Sequence, residues 1–199
     1  MSDFTSIAKP AKTSFSKRLP AVLWSIGILV SIMWALELLD TVLPHLNIDY
    51  YGIHPRNLQR WYGILLAPFL HGSWQHLLMN TPPFIIFGSL IAIHCLGDLW
   101  VVSVITALVS GIGVWLISPA NSITLGASGV IFGYFGFLLF RGIFERNLTS
   151  LFVSVAIAVL YGSLIWQVFP SAPHISWQAH LFGFIGGVLA ASLYSLPEK

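Results

Sequence analysis

Ser128, the serine of a Gly-x-Ser-Gly sequence, has neighbouring residues that favour a role as a nucleophile. It follows a polar loop and precedes an apolar run, so the pattern predicts that a loop enters a helix there. The start of a helix offers unpaired N–H groups and the positive end of the helix dipole, which stabilise negative charge. Gly126 and Gly129 allow a close approach of backbone or substrate. The alternative is a serine that caps the helix, with glycines that serve packing.

A histidine near the end of the chain, His180, could accept the proton of this serine. At helical spacing, His180, Gly183, Gly187 and Ala191 share one face, so the histidine side of this helix can come close to a neighbouring helix. If it packs on the helix of Ser128, the two side chains form a Ser–His pair for acyl transfer. The alternative is a packed histidine whose ring is satisfied by a backbone carbonyl.

Two further polar side chains, His76 and Asn80, are four residues apart and project from one helix face. Both can donate hydrogen bonds, so together they could hold a developing oxyanion. The alternative is a pair of polar groups that tie helices together. His71, just upstream, is interpreted as shaping the entry of the loop into this helix.

The amino-acid composition indicates the kind of fold that must position these residues. Of the 199 residues, 56% are hydrophobic and only 8% are charged, against about 25% charged in an ordinary soluble domain. The chain is therefore predicted to be an integral membrane protein, all-α and polytopic. Net charge is +2 without a basic stripe, so no nucleic-acid partner is expected. The single cysteine, Cys95, excludes an internal disulfide.

Six apolar runs predict six spans after a polar tail at residues 1–18. The predicted spans are about 19–39, 74–95, 99–118, 127–142, 149–169 and 177–195. Seven of the nine Lys and Arg residues fall on one side and two on the other, which predicts that both termini are cytoplasmic. Ser128 and His180 then lie near the outer face. The long connection at about 40–73 is expected in the outer interface with short helical pieces.

Three histidines also raise the possibility of a bound metal or haem. The chain has no HExxH, no CxxC and no carboxylate inside a span away from its ends, so a metal site lacks support. A haem needs axial ligands at similar depth in facing helices, and His76 with His180 could satisfy that geometry.

The three motifs together resemble those of the rhomboid family of intramembrane serine proteases. They are His71 with His76-x-x-x-Asn80, Gly126-x-Ser128-Gly129, and His180-x-x-Gly183-x-x-x-Gly187, in this order on the second, fourth and sixth predicted spans. The likeness covers nearly all of the chain after residue 18, including the loop from about Gly52 to His71. It implies a six-helix bundle. Six spans with little extra sequence further predict a protein of a prokaryotic cytoplasmic membrane.

The resemblance implies a role for each matching residue. Ser128 corresponds to the nucleophile and His180 to the general base, without a carboxylate. His76, Asn80 and the Ser128 N–H correspond to the oxyanion site, beside Gly126. Phe132 stands where some members carry a tyrosine beneath the histidine, so packing is expected to survive.

The resemblance also implies an activity. Substrates would be membrane proteins with a helix that unwinds near the outer interface, admitted by movement of the fifth span and of a cap at 170–176. Neither a cofactor nor a metal is needed. The alternative is an inactive scaffold of the same fold that binds transmembrane clients.

Overall fold

The computed structural model describes residues 15–170 and 175–193, and these form helices joined by short 3₁₀ turns. The α-helices are α1 (Phe15–Val42), α2 (Gly63–Leu66), α3 (Trp74–His94), α4 (Leu96–Ile117), α5 (Ser128–Glu145), α6 (Leu148–Tyr161) and α7 (Trp177–Ser192). A seven-residue 3₁₀ segment, Gly162–Val168, follows α6. The prediction of an all-α membrane bundle is confirmed.

Within the described residues, five segments are long and apolar enough to cross a membrane: Arg18–Val42, Trp74–His94, Leu96–Ile117, Ser128–Glu145 and Leu148–Val168. The sixth predicted span, 177–195, corresponds to α7, whose Trp177–Ser192 covers 16 residues. Residues 194–199 and most of the predicted tail at 1–18 lie outside the described residues. The predicted cap at 170–176 is described only at its two ends.

Two predicted spans differ from the helices in an informative way. The fourth, placed at 127–142, continues to Glu145 because Arg141 Nε donates to Glu145 Oε1 at 2.6 Å, one turn further on. The fifth, placed at 149–169, is not a single helix: α6 ends at Tyr161 and the chain tightens into the 3₁₀ segment. Gly162 is the weakest helix former at this point, which accounts for the change.

Helix α5 occupies the centre of the bundle, between α7, α4 and α6. Its glycines let the neighbouring backbones come very close. A methyl group built at Gly183 of α7 would lie 2.8 Å from the carbonyl carbon of Gly129, and one at Gly187 would lie 2.7 Å from that of Gly133. The backbones of α5 and α7 are thus in direct contact along two turns, as expected for glycine faces in a membrane.

The connection between α1 and α3 has the short helical pieces that the sequence predicts. It contains 3₁₀ turns at Pro44–Leu46, Ile48–Tyr51, Leu58–Arg60 and Ala67–Phe69, and the one-turn helix α2. An antiparallel bridge joins it to the loop before α5, because the N–H of Ile53 donates to Thr124 O at 2.8 Å and that of Thr124 to Ile53 O at 3.1 Å. This connection therefore supports the loop that leads to Ser128.

Candidate active site

A large cavity, lined by both apolar and polar side chains, opens between α3, α5, α7 and the 3₁₀ segment. Its volume is about 1190 Å³, somewhat above the range of about 300–1,000 Å³ that is usual for ligand pockets. The residues that the sequence singled out in three separate motifs line this one cavity: His76, Asn80, Ser128, Phe132 and His180. The glycines of the same motifs are not among the lining residues: Gly126, Gly129, Gly183 and Gly187.

Ser128 is the first residue of α5, so it does not cap the helix as the alternative interpretation required. The cap position belongs to Ala127, whose side chain offers no hydrogen bond. The hydroxyl of Ser128 is left to the cavity, while the free N–H groups of the first turn lie beside it. Gly126 has φ +116°, a conformation that side chains rarely adopt, and it turns the loop sharply into the helix.

The contact between α5 and α7 brings the histidine to the serine helix. Gly129 follows Ser128 directly, and Gly183 lies one turn after His180, so the tight Gly129–Gly183 contact sets their separation. His180 is only 6% exposed. Its ring stacks on Phe132 with centroids 4.0 Å apart and planes 7° from parallel. An aromatic floor without a hydroxyl thus packs the imidazole against α5.

The two ring nitrogens of His180 have different surroundings. Nδ1 lies 3.0 Å from the carbonyl oxygen of Gln167 in the 3₁₀ segment. No hydrogen bond joins Ser128 to His180 within the described residues, although both line the cavity. Such bonds are often long in the free enzyme and tighten only in the complex with substrate.

His76 and Asn80 lie on the opposite wall, on α3. Ser73 caps this helix, and its hydroxyl accepts from the N–H of His76 at 3.2 Å. The His76 imidazole covers Gly126 so closely that a methyl group there would lie 2.6 Å from its Cε1. Asn80 Nδ2 is buried and has no hydrogen-bond partner among the described residues. An unsatisfied buried donor is costly, so its presence beside the cavity indicates a group for it to bind.

His71 makes a contact that the sequence did not indicate. The side chain is 2% exposed, and its Nε2 accepts from the N–H of Ala127 at 3.4 Å. Burial and the neighbouring His76 lower the pKa of His71 to about 4, so its ring is neutral and able to accept. His71 thereby holds the residue that precedes Ser128, and its role in shaping the entry of the loop stays a prediction.

Arg56 is a functional candidate that the sequence reasoning missed. Its N–H donates to Trp115 O at 3.0 Å, and its Nη1 donates to Leu116 O at 2.9 Å and Ser118 O at 2.8 Å. These carbonyls end α4, just before the loop that leads to Ser128. Arg56 has φ 60°, which is unusual for a residue with a side chain. Neither its residue type nor its spacing in the sequence predicts its hydrogen bonds to the end of α4.

The metal alternative can be compared with the same geometry. Within residues 15–170 and 175–193, no three His, Cys, Asp or Glu side chains are grouped so that they could hold a metal ion. His76 and His180 line a shared cavity, and no Asp or Glu is among the described residues that line it.

The apolar helices define an integral, polytopic membrane protein, and the open cavity between them is its candidate site. The family model of the Rhomboid domain matches residues 58–197, which is most of the chain. The protein therefore belongs to the rhomboid family, as its motifs predict. Rhomboid proteins generally act on membrane proteins within the bilayer and are usually serine proteases, but the family has inactive members.

Several individual proteins are similar to this chain. An uncharacterized protein of Mycobacterium tuberculosis is 35% identical over 179 residues, covering 85% of this chain and 74% of that protein. YdcA of Bacillus subtilis is 29% identical over 182 residues, 90% of this chain and 86% of its own length. Rhomboid protease GluP of Bacillus subtilis is 27% identical over 145 residues, 69% of this chain and 27% of that protein.

Proposed function

We propose that this protein is an intramembrane serine endopeptidase that cleaves transmembrane segments of membrane proteins with a Ser128–His180 dyad. The observation that carries the proposal is the convergence of Ser128, His180, His76 and Asn80 on one cavity. The four come from three helices, and the sequence alone indicates a chemical role for each of them. Side chains that served packing alone would not have to share one cavity.

The reaction begins when Ser128 Oγ attacks the carbonyl carbon of the scissile peptide bond. As the C–O bond forms, the hydroxyl proton passes to Nε2 of His180, and the carbonyl oxygen becomes an oxyanion. The Ser128 N–H, Asn80 Nδ2 and the His76 ring donate to this oxygen. Loss of one such donor typically lowers the rate by about 10²–10³.

The tetrahedral intermediate then breaks its C–N bond. His180 gives the proton from Nε2 to the leaving amine, and an acyl-enzyme ester remains on Ser128. Water attacks the ester carbon while His180 takes one of its protons. When the ester C–O bond breaks, the proton returns to Ser128 Oγ and the acid product leaves.

The family to which the chain belongs supports membrane proteins as the substrate class. A peptide bond inside a helix has its carbonyl engaged in a hydrogen bond, so the substrate helix must unwind before attack. We propose that it does so near the outer interface, with both termini of the protease in the cytoplasm of a prokaryotic cell. The positive charge of the tail and of Arg141 and Arg146 supports this orientation.

A fluorophosphonate probe tests the dyad directly, because it reacts with activated serines. We expect the detergent-purified protein to be labelled at Ser128, and the Ser128→Ala and His180→Ala variants to remain unlabelled. Cleavage of a transmembrane substrate reconstituted in liposomes then tests the endopeptidase activity. An inactive scaffold would show neither reaction while remaining folded and monodisperse.

A further inference from the structure

We propose that the main-chain carbonyl of Gln167 is the group that orients the dyad histidine, in the place that a carboxylate takes in a catalytic triad. The inference rests on the proposed function, which names His180 as the base. It adds a positioning residue for that base, supplied by a segment outside all three sequence motifs.

The hydrogen bond itself determines the tautomer of His180. A carbonyl oxygen has no proton to give, so Nδ1 must carry the hydrogen that bridges the 3.0 Å to Gln167 O. A neutral imidazole has one N–H only, which leaves Nε2 unprotonated. This nitrogen is then free to accept the proton of Ser128. A triad uses a buried aspartate for the same purpose, and this chain has no Asp or Glu in that position.

The conformation of the 3₁₀ segment is what delivers this carbonyl. Had α6 continued as an α-helix beyond Tyr161, the rise would be 1.5 Å per residue in place of about 2.0 Å. Over the six residues to Gln167, the carbonyl would move by roughly 3 Å along the axis and turn away by a large angle. Seven residues is long for a 3₁₀ helix, and such stretches often mark functional hinges.

The segment also faces two environments. Leu164 and Gln167 line the cavity, while Trp166 is 71% exposed and Phe169 is 54% exposed on the outer surface of the bundle. Trp166 and Phe169 are one and two residues away from Gln167, so a movement of either would displace the Gln167 carbonyl. The base is therefore oriented only while this segment keeps its 3₁₀ form against α7.

The tautomer can be measured without any assay of activity. Protein labelled with ¹⁵N-histidine distinguishes protonated from unprotonated ring nitrogens by NMR, and the His180→Gln variant identifies the signals. We expect Nδ1 of His180 to be protonated and Nε2 unprotonated at neutral pH, the reverse of the tautomer that free imidazole side chains favour in water. The opposite pattern would overturn the inference.

A backbone ester tests whether the carbonyl matters to the base. Replacing Val168 by its α-hydroxy acid keeps the side chain and turns the Gln167 carbonyl into an ester carbonyl, a weaker acceptor. We expect fluorophosphonate labelling of Ser128 to slow about fivefold, the effect of losing one ordinary hydrogen bond. The matched control replaces Phe169 by its α-hydroxy acid, which also removes one N–H but weakens the Val168 carbonyl.

The outcomes separate this inference from the proposed function. Slowing confined to the ester at residue 168 supports the Gln167 carbonyl as the orienting group. Equal slowing in both esters would mean that the segment merely loses backbone hydrogen bonds, and would refute it. If the unmodified protein does not react at Ser128, the proposed function fails, while the ¹⁵N spectrum still decides which nitrogen of His180 is protonated.

Discussion

The contact between Gly129 and Gly183 makes the substitution Gly183→Ala the most informative change in the bundle. The added methyl would lie 2.8 Å from the carbonyl carbon and 3.2 Å from the Cα of Gly129, and it would overlap the carbonyl oxygen. These atoms belong to the backbone of α5 and cannot rotate away. Because carbon atoms pack at about 3.5 Å or more, the two helices would have to separate by roughly 1 Å.

Two consequences follow from this separation, and each has a magnitude. Overpacking of this kind typically costs about 1–3 kcal/mol of the free energy of unfolding. The same movement would carry His180 away from Ser128, and a misplacement of about 1 Å can cost about 10²-fold in rate. We therefore expect a lower thermal midpoint and a much slower reaction of Ser128 with a fluorophosphonate.

The control for this experiment is Gly27→Ala in α1, because a methyl group there meets nothing within 4 Å. Alanine is the better helix former by about 1 kcal/mol, so this variant should be as stable as the parent or more so. Thermal unfolding in one detergent compares the two variants, and labelling rates are measured well below both midpoints. If Gly183→Ala matched Gly27→Ala in both measurements, the argument that a glycine contact sets the dyad would be wrong.

Three further predictions concern the connection between α1 and α3. Burial, and then the charge of Asp40, raise the pKa of Asp49 to about 6, so ionisation of this carboxyl group disfavours the fold. The thermal midpoint should therefore fall as the pH rises from about 4 to about 6, and Asp49→Asn should remove this fall. The lowered pKa of His71 has the opposite effect on stability, because the neutral ring is favoured in the fold. The thermal midpoint should fall as the pH falls from 6.5 towards 4, and it should fall less in a His71→Gln variant. Arg56→Ala should cost about 1–3 kcal/mol of the free energy of unfolding and speed amide exchange in the loop before Ser128. The control is Arg60→Ala, which should do neither, because among the described residues the Arg60 side chain bonds to Tyr50 and His54 of its own loop. Equal effects of the two substitutions would contradict the role given to Arg56.

Residue types and spacing predicted the parts of the site that depend on side chains with a distinct chemistry. Ser128, His180, His76 and Asn80 are rare polar groups in an apolar chain, so each stood out, and the six apolar runs gave the order of the helices. The glycine face of α7 predicted its close contact with α5 because few other residues allow backbones to meet. The helix ends were less accurate: α5 gained a turn through the Arg141–Glu145 pair, which hydropathy does not register.

The supporting groups could not be predicted, for a physical reason that Arg56 and Gln167 share. Arg56 acts on carbonyls about 60 residues away, and every residue of the chain has such a carbonyl, so the sequence carries no mark of the pairing. Gln167 is proposed to act through its main-chain carbonyl, and any residue at that position would supply the same group. What selects it is the 3₁₀ form of the segment, a product of Gly162 and of packing on α7.

The absence of a carboxylate beside His180 is then consistent with the environment of the site. A buried aspartate would need several hydrogen bonds to remain charged in this apolar bundle, because removal of a carboxylate from water costs several kcal/mol. A main-chain carbonyl carries no net charge, yet it fixes the same tautomer. A neutral carbonyl stabilises the imidazolium less than an aspartate would. In the proposed mechanism, stabilisation of the transition state therefore depends more on the oxyanion donors. On this reasoning, Asn80→Ala should slow the reaction of Ser128 more than the ester at residue 168 does, by about 10² against about fivefold. The reverse order in labelling rates would show that orientation of the base, not stabilisation of the oxyanion, limits this site.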